Sequence, residues 1–195
     1  SLQRARDLAR QAVCLNHLKS SGLLFHLYAN DYDDRLPCGL ASGYPIDTHS
    51  STTWFYCLEY AGLLERGDDS SATGYPLLEC PSNLMTLDSN YHYGINAVSF
   101  PSTYSGNEPI YRTLSSIDKP YGRLLLSDSS ENYRVFPLYW TAGCTELYDP
   151  YDVHLGNTNC LFVAGQVASV PFEEIPEGAD ESDLSFQEFW GGEDF

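Results

Sequence analysis

The sequence predicts an α+β fold, and three features point to it. A helical apolar period runs through the first thirty residues, a shorter helical segment follows, and the second half reads as short apolar strands closing in a hairpin. The 195 residues suit one domain of ordinary size. With 43% hydrophobic and 14% aromatic residues there is ample material for a core.

The elements follow in chain order. Leu8, Ala12, Leu15, Leu18, Gly22, Phe25 and Ala29 recur at spacings of three and four, with no proline before Pro37. A helix from about Leu2 to Ala29 would be roughly 42 Å long. Its start offers no cap beyond Ser1, so the helix looks cut from something longer. Leu8, Ala12, Leu15, Leu18 and Phe25 are the expected packing stripe against the rest of the fold. The run Asn30 to Asp34, followed by Pro37, supplies turn chemistry to end it. A second helix is expected over residues 53–65, capped from Ser50 to Thr52 and stopped at Gly67. Arg123 to Leu126 reads as a buried strand, and Tyr133 to Tyr139 as an edge strand because of Pro137. Asn159 to Val163 and Gln166 to Val170 should form a hairpin. Ala164 disfavours a type I′ turn, so a type I turn with Gly165 in a bulge is expected.

Charge divides the chain into three parts: a helix over 1–30, a body over 31–172 and an acidic tail over 173–195. In the first 23 residues Arg4, Arg6, Arg10 and Lys19 face only Asp7, whereas from Phe172 onward there is no base at all. The tail's Phe186, Phe189, Trp190 and Phe195 predict partial docking on the body. With 10 Lys+Arg against 27 Asp+Glu, the net charge of −17 would repel phosphate backbones, which argues against a nucleic-acid partner. No apolar run is long enough to span a bilayer.

Catalytic signatures are missing: there is no G-x-S-x-G, H-E-x-x-H, G-x-G-x-x-G or P-loop. The five histidines read as isolated side chains, and His17 and His26 would point to opposite sides of the helix. Asp128 reads as the cap of the turn Ser127 to Ser130, with an acidic pair Asp128 and Glu131 as the rival hydrolytic reading. Asp31, Asp33 and Asp34 form a calcium-type cluster, but an EF-hand counted from Asp31 would need Gly and Glu where Leu36 and Ser42 stand. No cofactor is expected beyond calcium at those three. The cysteines, Cys14, Cys38, Cys57, Cys80, Cys144 and Cys160, show no CxxC or zinc-finger spacing. An even, scattered set fits disulfides in an oxidising compartment, with the connectivity open.

Several motifs resemble one known group in order. Arg4-Ala5-Arg6, Cys14 to Lys19 and Tyr28 to Pro37 are similar to the segment after the membrane helix of pilin-like, prepilin-type cleavage/methylation proteins, relatives of type II secretion major pseudopilins. Glu79-Cys80-Pro81-Ser82, Tyr93-Gly94-Ile95-Asn96, residues 117–128 and His154 to Val167 resemble that family's later motifs. Ala164 and Gln166 depart from the Asp and His usual there. The resemblance implies a pilin-like fold: a long spine helix packed on a small antiparallel sheet. It also implies an upstream apolar helix cut by a prepilin peptidase and anchored in the inner membrane, with the head outside it or in an extracellular filament. Partners would be other pilin-like subunits and secretion-system components, with Arg4, Arg6 and Arg10 facing neighbouring acidic heads. Because Cys14 and Cys80 both fall in family-like motifs, they are the first expected disulfide. The function implied is structural rather than enzymatic; the rival reading is an extracytoplasmic ligand- or glycan-binding module using the surface aromatics.

Overall fold

The computed structural model describes residues 2–37, 40–41, 52–67, 74–83, 92–97, 99–100, 112–129, 134–135, 150, 152–176 and 184–191. Helix α1 (Leu2–Asp31) is 30 residues long and unbroken, as expected of a Pro-free, Leu- and Ala-rich stretch. It stops where Asp33 and Asp34 turn into the left-handed region, at φ 54° and 65°, which Asp tolerates better than most residues. The Asp34 N–H then closes on the Ala29 carbonyl at 2.8 Å. No helix among the described residues is long and apolar enough to cross a membrane.

Five strands form the main sheet, in the order β5-β3-β4-β6-β7. They are β3 (Tyr93–Asn96), β4 (Leu124–Asp128), β5 (Arg134–Val135), β6 (Asn157–Phe162) and β7 (Val167–Pro171). Four pair antiparallel; β5 joins the edge beside β3 in parallel. A separate two-stranded ladder joins β1 (Leu40–Ala41) to β2 (Thr52–Thr53), which leads directly into α2 (Trp54–Tyr60). The fold is therefore α+β, with α1 packed on an antiparallel sheet.

The period-2 alternation of β6 gives the sheet two covered faces. Leu161 and Val163 join Leu18, Phe25, Tyr28, Trp54 and Leu58 in the larger core under α1 and α2. Cys160 and Phe162 point the other way, to a second core with Leu124, Val135, Ile175, Phe186 and Trp190. That second core is built by the acidic tail. Its described part, from Phe172 through α3 (Leu184–Phe189), lays Phe186 and Trp190 on the sheet. The Trp190 indole N–H is held by the Pro176 carbonyl at 2.8 Å. Residues 177–183 and 192–195, with Phe195, lie outside the described residues.

The hairpin has the expected turn. Gly165 sits at φ 85° and donates to the Phe162 carbonyl at 2.8 Å, while the Phe162 N–H returns to Gln166 at 2.9 Å. Two other expectations are corrected. Helix α2 ends at Tyr60, because Gly62 at φ 71° supplies the left-handed residue five positions before Gly67. Gly62 N–H to Glu59 and Leu63 N–H to Leu58, both 2.9 Å, complete a Schellman closure there. The packing stripe of α1 also shifts. Leu18 and Phe25 are buried and Leu15 is half-buried, but Leu8 is 50% exposed and Ala12 is exposed. The buried face is Cys14, Leu18, Ser21, Gly22, Phe25, Tyr28 and Ala29. Traced towards the helix start at about 100° per residue, it meets Gln11, Arg10, Asp7 and Gln3, so Leu8 and Ala12 fall on the far side. Of the edge strand expected over 133–139 only Arg134–Val135 is described.

Candidate functional site

Four segments far apart in sequence converge at one buried point. Cys14 is the first fully buried residue of α1. Cys80 follows the 3-10 turn Pro76–Leu78. Asp128 ends β4, and His154 stands in the turn that leads into β6. That turn is shaped by Leu155 and Gly156 at φ 57° and 84°, and the backbones of His154 and Asn157 exchange hydrogen bonds across it. All four side chains are at most 2% exposed.

The Cys80 segment is fixed from two sides. His17, one turn below Cys14 on α1, donates through Nδ1 to the Glu79 carbonyl at 2.8 Å. The Cys80 N–H donates to His92 Nδ1, also at 2.8 Å. These contacts hold Cys80 beside Cys14: the ligand atoms of Cys14, Cys80 and His154 all lie within 4.8 Å of one another. His154 Nε2 is 3.4 Å from Cys80 Sγ and 3.5 Å from Asp128 Oδ2. Asp128 Oδ2 in turn accepts the Asn159 N–H at 2.6 Å. The other atoms of the pair, Asp128 Oδ1 and His154 Nδ1, are buried and make no hydrogen bond among the described residues.

The electrostatics are strongly perturbed. Hydrogen bonding from the Cys80 thiol lowers the Cys14 pKa, against the opposing effect of burial and with help from His154. The same contact, with burial and the Asp128 charge, pushes Cys80 up, so the two sulfurs are driven in opposite directions. Burial raises Asp128 to about 6, opposed by His154. His154 rises to about 9: burial works against its charge, but the Asp128 and Cys14 partners outweigh burial. Burial alone pushes His92 down, keeping it a neutral acceptor for Cys80.

This arrangement can ligate a soft metal or undergo thiol redox chemistry. It is not ordered as a Cys–His–Asp relay, in which the carboxylate must hold the imidazole nitrogen opposite the nucleophile. Here sulfur and carboxylate share Nε2. A surface cleft of about 290 Å³, lined by Gln3, Asp7, Arg10, Ser82, Val153, His154 and Leu155, lies between the first turns of α1 and the His154 turn.

The residues singled out in the sequence are placed as follows. Cys14 and Cys80 come together as free thiols, where a disulfide was expected; Cys57 and Cys160 are also free and buried, and Cys38 and Cys144 lie outside the described residues. Arg4 and Arg6 are exposed, whereas Arg10 is turned to its own head, 3.9 Å from Asp7 and beside the cleft. Asp31, Asp33 and Asp34 do not converge on a common point among the described residues. Asp34 instead accepts the Ser115 N–H at 3.0 Å and its hydroxyl, tying the helix end to the turn Leu114–Ser116. Asp128 does not cap an exposed turn; it is buried against His154, and Glu131 lies outside the described residues. Sequence reasoning missed His154 and Asp128 as partners of the two cysteines. The available signal was that Cys14, Cys80, Asp128 and His154 each fall inside one of the motif-like segments. Compared with family models, characterised proteins and solved structures, the chain matches none.

Proposed function

We propose that the chain is a pilin-like structural subunit that assembles through α1 into a filament of the type II pseudopilus or type IV pilus kind. One observation carries this reading: α1 is apolar on two opposite faces, and its own head covers only one. The uncovered face holds Leu2, Ala5, Ala9, Ala12, Val13, Leu23 and Leu27, interrupted by Asn16 and Ser20 and with Leu8 at its margin, and these apolar residues are all exposed. Leu2 and Leu23 reach 69% and 60% exposure. A helix that serves only its own head would place polar residues there.

The occupant that fits this face is α1 of another copy. Ala5, Ala9 and Ala12 leave room for close helix approach, and Leu23 and Leu27, four residues apart, supply a ridge. Arg4, Arg6 and Lys19 place positive charge on a helix whose neighbours would carry the acidic excess of the chain. Helices stacked this way repeat head to tail without closing, which is how a filament grows. On this reading the spine continues into an upstream apolar helix in the inner membrane, the head lies outside that membrane, and other subunits and secretion components are its partners.

The test is Leu23→Glu with Leu27→Glu in the native gene, expressed in its own host. The doubly substituted protein should keep its thermal unfolding profile but disappear from the sheared filament fraction. Normal incorporation of that variant, or a native gene in which no apolar segment precedes α1, would refute the proposal.

A further inference from the structure

We infer that Cys14, Cys80, His154 and Asp128 form a structural zinc site that clasps α1 to the head. The inference is independent of what the helix assembles with. Its basis is the convergence on one nitrogen. A single Nε2–H cannot be aimed at both Cys80 Sγ at 3.4 Å and Asp128 Oδ2 at 3.5 Å, whereas one metal ion on Nε2 meets both.

Two of the separations, from His154 Nε2 to Cys80 Sγ at 3.4 Å and to Asp128 Oδ2 at 3.5 Å, are those of a tetrahedron's edges. With zinc bonds of about 2.3 Å to sulfur and about 2.0–2.1 Å to nitrogen and oxygen, neighbouring ligand atoms stand about 3.4–3.8 Å apart. The Cys14 sulfur lies within 4.8 Å of the other two members, close enough to reach the same ion by a small adjustment of the side chain. Cys14 and Cys80 bind as thiolates and His154 as neutral imidazole, their displaced protons passing to solvent as the ion enters. Asp128 stands outside the 4.8 Å group of Cys14, Cys80 and His154 but within 3.5 Å of Nε2, so a shift of its carboxylate, which the Asn159 N–H holds at 2.6 Å, completes the set. Its second oxygen, buried without a hydrogen bond among the described residues, is then accounted for by the charge beside it. Four protein donors fill a tetrahedral shell, and all four are buried, which makes the site of the closed, structural kind. Thiolates with imidazole select zinc over calcium or magnesium.

The ion would join four segments no nearer in sequence than Asp128 and His154. Zinc spacing is therefore invisible along the chain, since each segment gives one ligand.

The experiment uses the whole chain, with thiols alkylated at lysis in one sample and kept reduced without oxygen in another. Elemental analysis of the reduced sample should find one zinc per chain. After chelation, adding Co²⁺ should produce the intense d–d and thiolate charge-transfer bands of tetrahedral sulfur coordination. Re-adding Zn²⁺ should raise the melting temperature. Asp128→Asn should weaken Co²⁺ binding about tenfold or more and shift the d–d bands. Cys57→Ser, at a buried cysteine away from the cluster, should change neither. Wild-type folded chain that takes up neither Zn²⁺ nor Co²⁺ would overturn the inference. So would copper or iron in zinc's place, or a Cys14–Cys80 disulfide in the alkylated sample.

Discussion

Gly22→Ala tests whether α1 rests on β6 as closely as the structure places it. In an uncrowded helix interior this exchange stabilises by about 1 kcal/mol. At Gly22, however, a Cβ would stand 2.8 Å from Leu161 Cδ1 and 3.3 Å from Cδ2. Carbon atoms settle at about 3.5–4.0 Å. Leu161 is fully buried, so its methyls cannot swing into water, and either the leucine or the helix must yield. Overpacking of this kind costs about 1–3 kcal/mol. The net expectation is a loss of about 0–2 kcal/mol, read from urea unfolding followed by circular dichroism. The sign should reverse when the crowding atoms are removed: in a Leu161→Val background, which lacks both δ carbons, Gly22→Ala should stabilise by about 1 kcal/mol. The resulting coupling of about 1–3 kcal/mol is large for a single pair in contact. A full stabilisation by Gly22→Ala in the otherwise unaltered chain would refute the reasoning, because it would mean that α1 stands clear of the sheet.

Trp190→Ala should cost about 3–5 kcal/mol, since the ring is fully buried at the centre of the second core; a change below about 1 kcal/mol in urea unfolding would show the tail to be undocked. Leu18→Ala should cost about 2–5 kcal/mol while Leu8→Gln stays within about 0.5 kcal/mol, and equal losses for the two would restore the stripe first read from the sequence. Ser115 donates to the Asp34 carboxylate through its hydroxyl and its N–H, which holds Asp34 below the usual carboxylate range. A depressed carboxylate pKa contributes stability above the unfolded-state value and loses it as pH falls through the folded-state value. Ser115→Ala removes the hydroxyl, so the Asp34 carboxyl resonance should titrate at a higher pH; an unmoved NMR titration would disprove the contact.

The parts of the fold legible in the sequence are those with a local cause. Gly165 after Ala164 dictates its turn through backbone sterics, and α1 follows from propensity and the distance to Pro37. What the sequence left open depends on rotation and on distant neighbours. Leu8 and Ala12 satisfy a three-and-four spacing as well as Leu18 does, because α1 has two apolar faces and spacing alone cannot say which one the sheet covers. Helix α2 stopped early for a similar reason: Gly62 and Gly67 are both credible stops, and the choice lies in whether Leu63 can close back on Leu58. His154 reads as isolated and Asp128 as a turn cap because the β4–β6 pairing, which sets Ser127 opposite Cys160, brings them together across more than twenty residues.

The position of the cluster along α1 links its chemistry to its mechanics. Before Cys14 no residue of the helix is buried, and the side towards the head is polar: Gln3 and Asp7 bond each other, and Gln11 reaches Ser169 at 2.6 Å. From Cys14 onward the same side is apolar and closely packed against β6. A force applied to the first three turns would therefore be resisted first at Cys14, where full burial begins. Hydrophobic burial is non-directional and yields gradually as a helix is levered off, whereas bonds from sulfur to a metal shared with Cys80, His154 and Asp128 would be directional and short. The cluster thus occupies the point on α1 where a directional clasp protects the most packing behind it.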